Sequence, residues 1–564
     1  MRITGFFAIS ILLCIPLLLN AQSGKKFVSP HDFYPENSKI ANPPVAYPSH
    51  YALLPYPYDN VNLSNNFYPQ NEPSVKFNAK YPNYVLAAWR DFSTGVNPAV
   101  RRIGYNFSSD GGTTWFYAGQ ELIPILEVNH PRASDPVVCS DTNGNFYVAT
   151  VSLTTVGALD LVVYKSTDYG MTFTSYSFAQ GGGANDEDKE WLVCDLTKGS
   201  SAYKNHLYMS WTRFGTPAGI LMTKSSNGGL NWSMPVQVSS GGGVQGSDPA
   251  IGPNGEVYVV WVGGNATNDI IYFNKSTNGG AGFGTERIIA QGTSPLIPIS
   301  SSAITFPSIA VDVSGGPRNG TIYVTWCDSR NGDPDVFLIR STNGGTNWTS
   351  PVRVNNDSLG NGKLQCWPWI SINEQGKLAI LYYDSRNGVS NTNIEAWLAR
   401  STDGGQTFIN EKLSSVSFTA SWPNTDVRFG DYINIDYHGD RIVPVWTDLR
   451  AGGSNQEIYS AVIDLSVGIK NISTESPREF RLHQNYPNPF NPSTKIVFEL
   501  MKAAETELSV FDLTGKKIFT IFKGYKSAGT YEAEFDASKF TSGVYFYTLK
   551  ADNFKETKKM LFIK

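Results

Sequence analysis

From about residue 74 to residue 465 the chain alternates short apolar runs with turn residues. Seven runs share one form: YVLAAWRDF (84–92), FYVATVSL (146–153), LYMSWTRF (207–214), VYVVWVGG (257–264), IYVTWCDSR (322–330), LAILYYDSR (378–386) and IVPVWTDLR (442–450). A short run precedes nearly every one, as in DPVVCS, EWLVCD, DPAIGP, FPSIAVD, WPWISIN and DYINIDY. A third follows, as in DLVVYKS, IIYFNKS and VFLIRS, and then a fourth, as in SMPVQVS and SPVRVN. Runs of this length that alternate with period two between Gly, Asn, Asp and Pro read as strands. Each unit therefore predicts a four-stranded antiparallel meander.

Between the third and fourth strands stands a recurring octet. It reads SSDGGTTW from Ser108, STDYGMTF from Ser166, SSNGGLNW from Ser225, STNGGAGF from Ser276, STNGGTNW from Ser341 and STDGGQTF from Ser401. Its chemistry is that of a turn: Asp or Asn accepts local backbone N–H bonds, Gly takes positive φ, and the aromatic packs between sheets. Four-stranded units repeating at this spacing predict radial blades, a β-propeller. Seven units are counted, with a six-bladed ring as the alternative if one unit is irregular. The seventh has three strands and no octet, so the N-terminal extension (22–73) is expected to supply its outer strand. Closure would remove the exposed edges of an open array.

The octet resembles the Asp-box, or bacterial neuraminidase repeat, of sialidase-like propellers. Three copies carry Asn where that repeat has Asp: Asn227, Asn278 and Asn343. The resemblance covers about residues 74–465. It implies that the octets lie on the face away from a binding or catalytic mouth.

Both ends of the chain carry further signals. Arg2 and the apolar run GFFAISILLCIPLLL, closing on Asn20-Ala21, read as an export signal over 1–21. Cys14 lies inside that run after Leu13, which argues against lipid attachment. After a linker (466–480) the composition changes, and alternating strands split at Thr514-Gly515 and Ser542-Gly543 predict a small Ig-like β-sandwich over 481–564. With Asn485-Tyr486-Pro487-Asn488-Pro489-Phe490 it resembles a type IX secretion C-terminal sorting domain. That resemblance implies dealings with the type IX machinery and release to, or attachment at, the surface of a Gram-negative bacterium.

Composition narrows the field. A 13% aromatic and 41% apolar content fits a packed all-β chain, and a net charge of −4 with no basic run argues against nucleic acid. No P-loop, dinucleotide, G-x-S-x-G or H-E-x-x-H pattern is present.

Candidate chemistry collects where propellers bind ligands, at the starts of innermost strands and the ends of second strands. The first group holds Arg132, Asp135, Asp188, Glu190, Asp248, Trp367, Trp369, Arg428 and Asp431. The second holds Arg90, Asp91, Arg213, Tyr383 and the triplets Asp328-x-Arg330, Asp384-x-Arg386 and Asp448-x-Arg450. Arginine forks and aromatic faces suit an acidic sugar. Resemblance to sialidases implies Arg330, Arg386 and Arg450 as a carboxylate clamp, Tyr383 with Glu190 as nucleophile pair, and Asp91 or Asp135 as acid. Arg90, Arg132, Trp367 and Trp369 would contact substrate. RRIG (101–104) is not the family's Phe/Tyr-Arg-Ile-Pro signature, and three Asp-x-Arg triplets at one register also suit pairs that brace loops.

Three readings follow: a secreted exo-glycosidase of sialidase type, a non-catalytic glycan- or protein-binding module, and a propeller lyase using His130 or His438. No cofactor is expected, although Asn331, Asp333 and Asp335 make a Ca²⁺ candidate. Of the four cysteines after the signal, Cys327 and Cys366 are expected to form a disulfide at one blade junction. Cys139 and Cys194, at equivalent positions on neighbouring inner strands, are expected to lie close, bonded or free.

Overall fold

The computed structural model describes residues 58–564 except 96–100, 118–119, 126–128, 156, 182–185, 199–200, 265–267, 294–304, 422–426, 454, 466–468, 474–476, 527 and 539. The expected export signal and most of the N-terminal extension lie outside the described residues. Every described element is a strand, and among the described residues no helix is long and apolar enough to cross a membrane.

Seven antiparallel sheets succeed one another along the chain, the first six with their strands in sequence order from the inside outward. The first comprises Gln70–Phe77, Val85–Asp91, Arg102–Ser108 and Glu121–Leu122. The next five begin with Arg132–Ser140, Glu187–Cys194, Val244–Ile251, Ser308–Val311 and Gln365–Ile372. The seventh begins with Asn434–His438. Each innermost strand packs on the next, and the seventh packs on the first, so the sheets close a ring. Side chains help hold it: Asp248 accepts the Ile309 N–H (2.9 Å), Asn434 the Val75 N–H (3.0 Å) and Asp436 the Phe77 N–H (2.9 Å).

The outer strand of the seventh sheet is Val61–Asn62, which pairs Val61 with Ser460 and Asn62 with Tyr459. The pairing runs on as the Leu63 N–H donates to the Ile458 carbonyl (2.7 Å) and the Ile458 N–H to the Ser64 hydroxyl (2.9 Å). Leu63 is fully buried among Val75, Val85, Trp89, Val443 and Ile458, where sheets one and seven meet.

All six octets adopt one turn. The Ser hydroxyl accepts the N–H of the second Gly position at 2.9–3.0 Å, as in Ser108 with Gly112, Ser166 with Gly170 and Ser401 with Gly405. The Asp or Asn side chain accepts the N–H four residues on, as in Asp110 with Thr114 and Asn343 with Asn347 (both 2.9 Å). Gly345 has φ +79, and a Cβ there would sit 2.3 Å from the Phe273 ring of the preceding sheet. A cation just before the octet reaches the octet of the next sheet: Lys165 to the Gly228 carbonyl (3.2 Å), Lys275 to Gly344 (2.9 Å), Arg340 to Gly404 (2.6 Å). The octets are fasteners between sheets as well as turns.

The tail forms two four-stranded sheets, Ile469–Ser473, Gly529–Asp536, Ser493–Leu500, Arg481–Leu482 and Lys517–Lys526, Ala504–Phe511, Gly543–Ala551, Phe554–Phe562. One core with Phe498, Leu508, Val510 and Tyr547 joins them. Asn485 braces the motif from within, donating to the Pro487 carbonyl (3.0 Å) and to Thr494 (2.9 Å).

The expected Cys327–Cys366 disulfide is not present: all four described cysteines are buried thiols. The Cys327 thiol points at the Gln365 carbonyl (3.0 Å), so its partner is the backbone of the neighbouring strand rather than the sulfur one residue on. Cys139 and Cys194 are close but unbonded, and the Cys194 thiol is pushed up by its hydrogen bond to Cys139 and by burial.

Truncating Leu63→Ala should cost about 2–5 kcal/mol in denaturant unfolding, whereas Val389→Ala, at a side chain 97% exposed, should change it by less than about 0.5 kcal/mol. Equal effects would mean that the short outer strand does not hold the ring.

Candidate site at the axial mouth

Antiparallel succession makes first and third strands run the same way. The octets follow third strands, so the starts of the innermost strands lie on the opposite face. There the inner strands share a device. Register slips between Asn71 and Ser74, Ser134 and Val137, Asp188 and Trp191, Gln245 and Asp248, and Cys366 and Trp369. In each bulge one residue is left-handed: Glu72 (φ 54), Asp135 (φ 54), Lys189 (φ 51), Gly246 (φ 66) and Trp367 (φ 50). Bulges re-aim side chains, and a non-glycine residue in this region carries about 1–3 kcal/mol of strain.

The bulges bring charge together at the axis. The Lys189 ammonium lies 2.8 Å from Asp431, 3.0 Å from Asp135 and 3.6 Å from Glu72. Arg90 lies 3.2 Å from Glu72 and 3.8 Å from Asp135, and donates to Asn71 at 2.7 Å. Asp188 accepts from Gln245 at 2.8 Å. Neither carboxyl oxygen of Glu190, a residue 1% exposed, bonds to another residue. Beneath them Trp191 and Trp369 meet with ring centroids 4.2 Å apart, and Tyr432 stands edge-on to Trp191 at 5.5 Å. Trp191 and Trp369 lie between a cavity of about 20 Å³, lined also by Glu190, Lys189, Phe306 and Tyr432, and a larger one of about 220 Å³ lined by Cys139, Cys194 and Ala310.

Burial dominates the protonation of this cluster. It pushes Glu72 up to about 8 against the pull of Arg90, and Asp188 up to about 7 against Lys189. Burial and the neighbouring Asp135 carry Glu190 well above the carboxylate range. Asp248 rises to about 7 by burial. Burial would raise Asp135 and Asp431 too, but Lys189 outweighs it and holds both below the usual range. The ionised core at neutral pH is thus Asp135 and Asp431 around Lys189 and Arg90, with Glu190 protonated.

The residues expected to form a sialidase site are otherwise engaged. Arg330, Arg386 and Arg450 pair with Asp328 (2.5 Å), Asp384 (2.7 Å) and Asp448 (2.7 Å), all fully buried carboxylates. Each guanidinium also lies over a ring of the adjacent strand: Phe337 at 4.6 Å, Trp397 at 3.9 Å and Tyr459 at 3.9 Å. Tyr383 is fully buried, its hydroxyl donating to the Thr447 carbonyl (2.7 Å), and it makes no hydrogen bond with Glu190. Asp91 is buried and accepts the Ser93 N–H (2.9 Å), at the register of Asp328 and Asp448 two residues after a Trp. Asp135 is held ionised, the wrong state for an acid. Arg132 is 2% exposed, and Trp367 is packed on Phe429 and Tyr383 rather than offered to a ligand. Arg90, Asp135, Glu190 and Trp369 do converge, together with Asp188, Asp248 and Asp431 from the same strand starts.

The remaining candidates are also placed. Asp335 accepts from Arg353 (2.6 Å), Asn355 (2.7 Å) and Asn331 (2.7 Å), and Asp333 accepts the Gly362 N–H (2.8 Å). That donor set does not fit a calcium cage of six to eight oxygens, and among the described residues no three His, Cys, Asp or Glu side chains converge as metal ligands. His130 pairs with Asp160 (2.8 Å) and His438 with Glu374. Glu72, Lys189 and Tyr432 were not singled out from sequence. An acidic or aromatic residue before Pro (Glu72-Pro73, Asp135-Pro136, Trp367-Pro368) marks three of the five bulges; Lys189 and Gly246 carry no such mark.

Residues 484–564 match the family model described as Secretion system C-terminal sorting domain. The chain thus carries a type IX sorting tail, which directs export to the cell surface or beyond it. No curated protein matches in sequence. Among solved structures, the chain is similar to the leech intramolecular trans-sialidase complexed with 2,7-anhydro-Neu5Ac (13% identity, 63% of this chain and 68% of that one, TM-score 0.40). It is also similar to an alpha-L-arabinanase of Penicillium chrysogenum complexed with arabinobiose (17%, 72% and 99%, TM-score 0.39). A third is the GH93 alpha-L-arabinofuranosidase of Fusarium graminearum with arabinobiose (13%, 73% and 98%, TM-score 0.41).

Two predictions follow from this geometry. Arg386→Ala strands a buried carboxylate and should lower stability by about 3 kcal/mol or more in denaturant unfolding, and Arg386→Lys should restore little because a lysine cannot reproduce the fork. Unchanged stability in Arg386→Ala would free that arginine for a ligand role. The second concerns pH. Glu72 and Asp188 have folded-state values above their unfolded ones, so their contribution is full below about pH 4 and is lost as pH rises toward about 8. Asp135 and Asp431 act oppositely and lose theirs as pH falls through the acid range. The melting temperature should decline from about pH 6 to about pH 8, and Glu72→Gln should flatten that decline; an unchanged slope in the variant would contradict the assignment.

Proposed function

We propose that this chain is an exported, non-catalytic module that binds a glycan at its axial mouth. The observation that carries the reading is the engagement of the three Asp-x-Arg arginines by their own buried aspartates. An exo-sialidase clamp needs those forks free for a substrate carboxylate. The supposed nucleophile points the same way, since Tyr383 gives its hydroxyl to a backbone carbonyl within a fully buried aromatic cluster. Trp191, Trp369 and Tyr432 beside several carboxyls supply ring faces and hydrogen-bonding groups of the kind a sugar uses. The sorting tail delivers such a surface to the outside of the cell.

The test is incubation of the exported protein with sialosides and with neutral, acidic and amine-bearing oligosaccharides, following released sugar, unsaturated product and binding separately. Saturable binding with neither product is expected. Release of sugar by the wild type that disappears in Tyr383→Phe would overturn the reading in favour of a glycosidase.

A further inference from the structure

We infer that the mouth recognises an ammonium group, the free amine of an amino sugar, with the Glu190 carboxylate as its counter-ion and Trp369 and Tyr432 as its walls. This rests on the glycan-binding reading above and names the class of glycan. The first observation is Glu190 itself. Buried polar groups nearly always have partners, yet neither of its oxygens bonds to another residue, only its own backbone N–H reaches the carboxyl, and the side chain lines a cavity that is partly open to solvent. The second is size. A cavity of about 20 Å³ holds a group of the size of one water. An –NH₃⁺ head fits that space, and an N-acetyl group or a sugar ring does not.

Charge points the same way. The cluster holds Glu72, Asp135, Asp188, Glu190, Asp248 and Asp431 against Arg90, Lys189 and Arg428. Asp135 and Asp431 are the ionised members, and burial favours the neutral form of the others, so an incoming cation can be matched by ionising a carboxyl that is already in place. The protein also shows how such a head is held. The Lys189 ammonium sits on Asp135 and Asp431 and lies 5.6 Å from the Tyr432 ring centre and 5.8 Å from that of Phe306, within cation–π range. Glu190 offers a further carboxyl next to the same rings; Lys189 pulls on it electrostatically, but its ion pairs are with Glu72, Asp135 and Asp431.

The protonation of Glu190 makes the binding readable. In the free protein burial, and then the neighbouring Asp135, push this carboxyl well up and favour its protonated form. Pairing with R–NH₃⁺ favours the carboxylate, so Glu190 gives one proton to solvent while the ligand amine keeps its own. Affinity should therefore rise with pH until the ligand amine begins to deprotonate.

Calorimetry in two buffers of different ionisation heat tests this, using a β-1,4-linked glucosamine tetramer, its fully N-acetylated counterpart and an acidic oligosaccharide. The glucosamine tetramer should bind at least about tenfold more tightly than the acetylated one, a difference of about 1.4 kcal/mol, with release of about one proton. Glu190→Gln, isosteric with the protonated side chain, should keep the melting temperature, lose the proton release and bind the amine about tenfold more weakly. Glu190→Asp provides a second carboxyl variant should Gln fail to fold, and it should retain the proton release. Equal affinity for both tetramers, preference for the acidic sugar, or unchanged binding in Glu190→Gln would overturn the ammonium assignment while leaving glycan binding intact. Binding of no glycan would overturn both readings, and sugar release with one proton displaced would overturn only the non-catalytic one.

Discussion

A ring of sheets stands or falls on how its last sheet meets its first. Here the meeting is a pairing of two residues, Val61 and Asn62, with Tyr459 and Ser460, some four hundred positions away in the chain. Two ladder residues contribute little by themselves. Their effect is multiplied because Leu63 is driven into the seam between sheets one and seven, and Asn60 accepts from Arg450 (2.9 Å) and from the Ser415 N–H (2.7 Å). The mouth depends on that closure directly. Lys189 of the third sheet binds Glu72 of the first, Asp135 of the second and Asp431 of the seventh, a constellation that exists only when the ring is shut.

The axis is not where stability comes from. Desolvating charges commonly costs as much as their pairing returns, and the left-handed bulge residues add strain. The compensating burial lies between the sheets, in clusters such as Val137, Leu161, Met209 and Trp211. The octets help set the spacing of those clusters. Each tucks a glycine under the preceding sheet, and most take a cation from it, as with Lys275 and Gly344, so the distance between neighbouring sheets is fixed at the rim opposite the mouth. Rigid fastening on one face is what lets strained, charged geometry persist on the other.

Much of this architecture is legible in the sequence, because periodic alternation and turn chemistry are local. The octet positions, the strand order of each sheet and the boxless seventh unit all follow from short-range pattern. The register of the Asp-x-Arg triplets also carried the right alternative, since a repeated spacing is what bracing pairs need. The mouth was less legible for a physical reason. A bulge reverses where a side chain points, so alternation ceases to report direction at the very residues that matter, as at Lys189 between Asp188 and Glu190. Glu72 fell in a segment read as an extension. The cysteines failed similarly: register placed Cys327 and Cys366 at one junction, but the Cys327 thiol turns to the Gln365 carbonyl.

The same reasoning reverses the electrostatic expectation for the mouth. Counted from sequence, its arginines suggest an attraction for anions. In the structure the rim arginines are neutralised in place, each by a carboxylate two residues earlier, and stacked on a ring that fixes the fork. What remains at the centre is carboxyl-rich, and the buried fraction of it is kept uncharged by desolvation rather than by cations. A site in that state stores protons. Its field becomes strongly negative only when something positive enters and makes ionisation of the buried carboxyls favourable, so the selectivity of the mouth lies in the coupling between cation entry and proton loss.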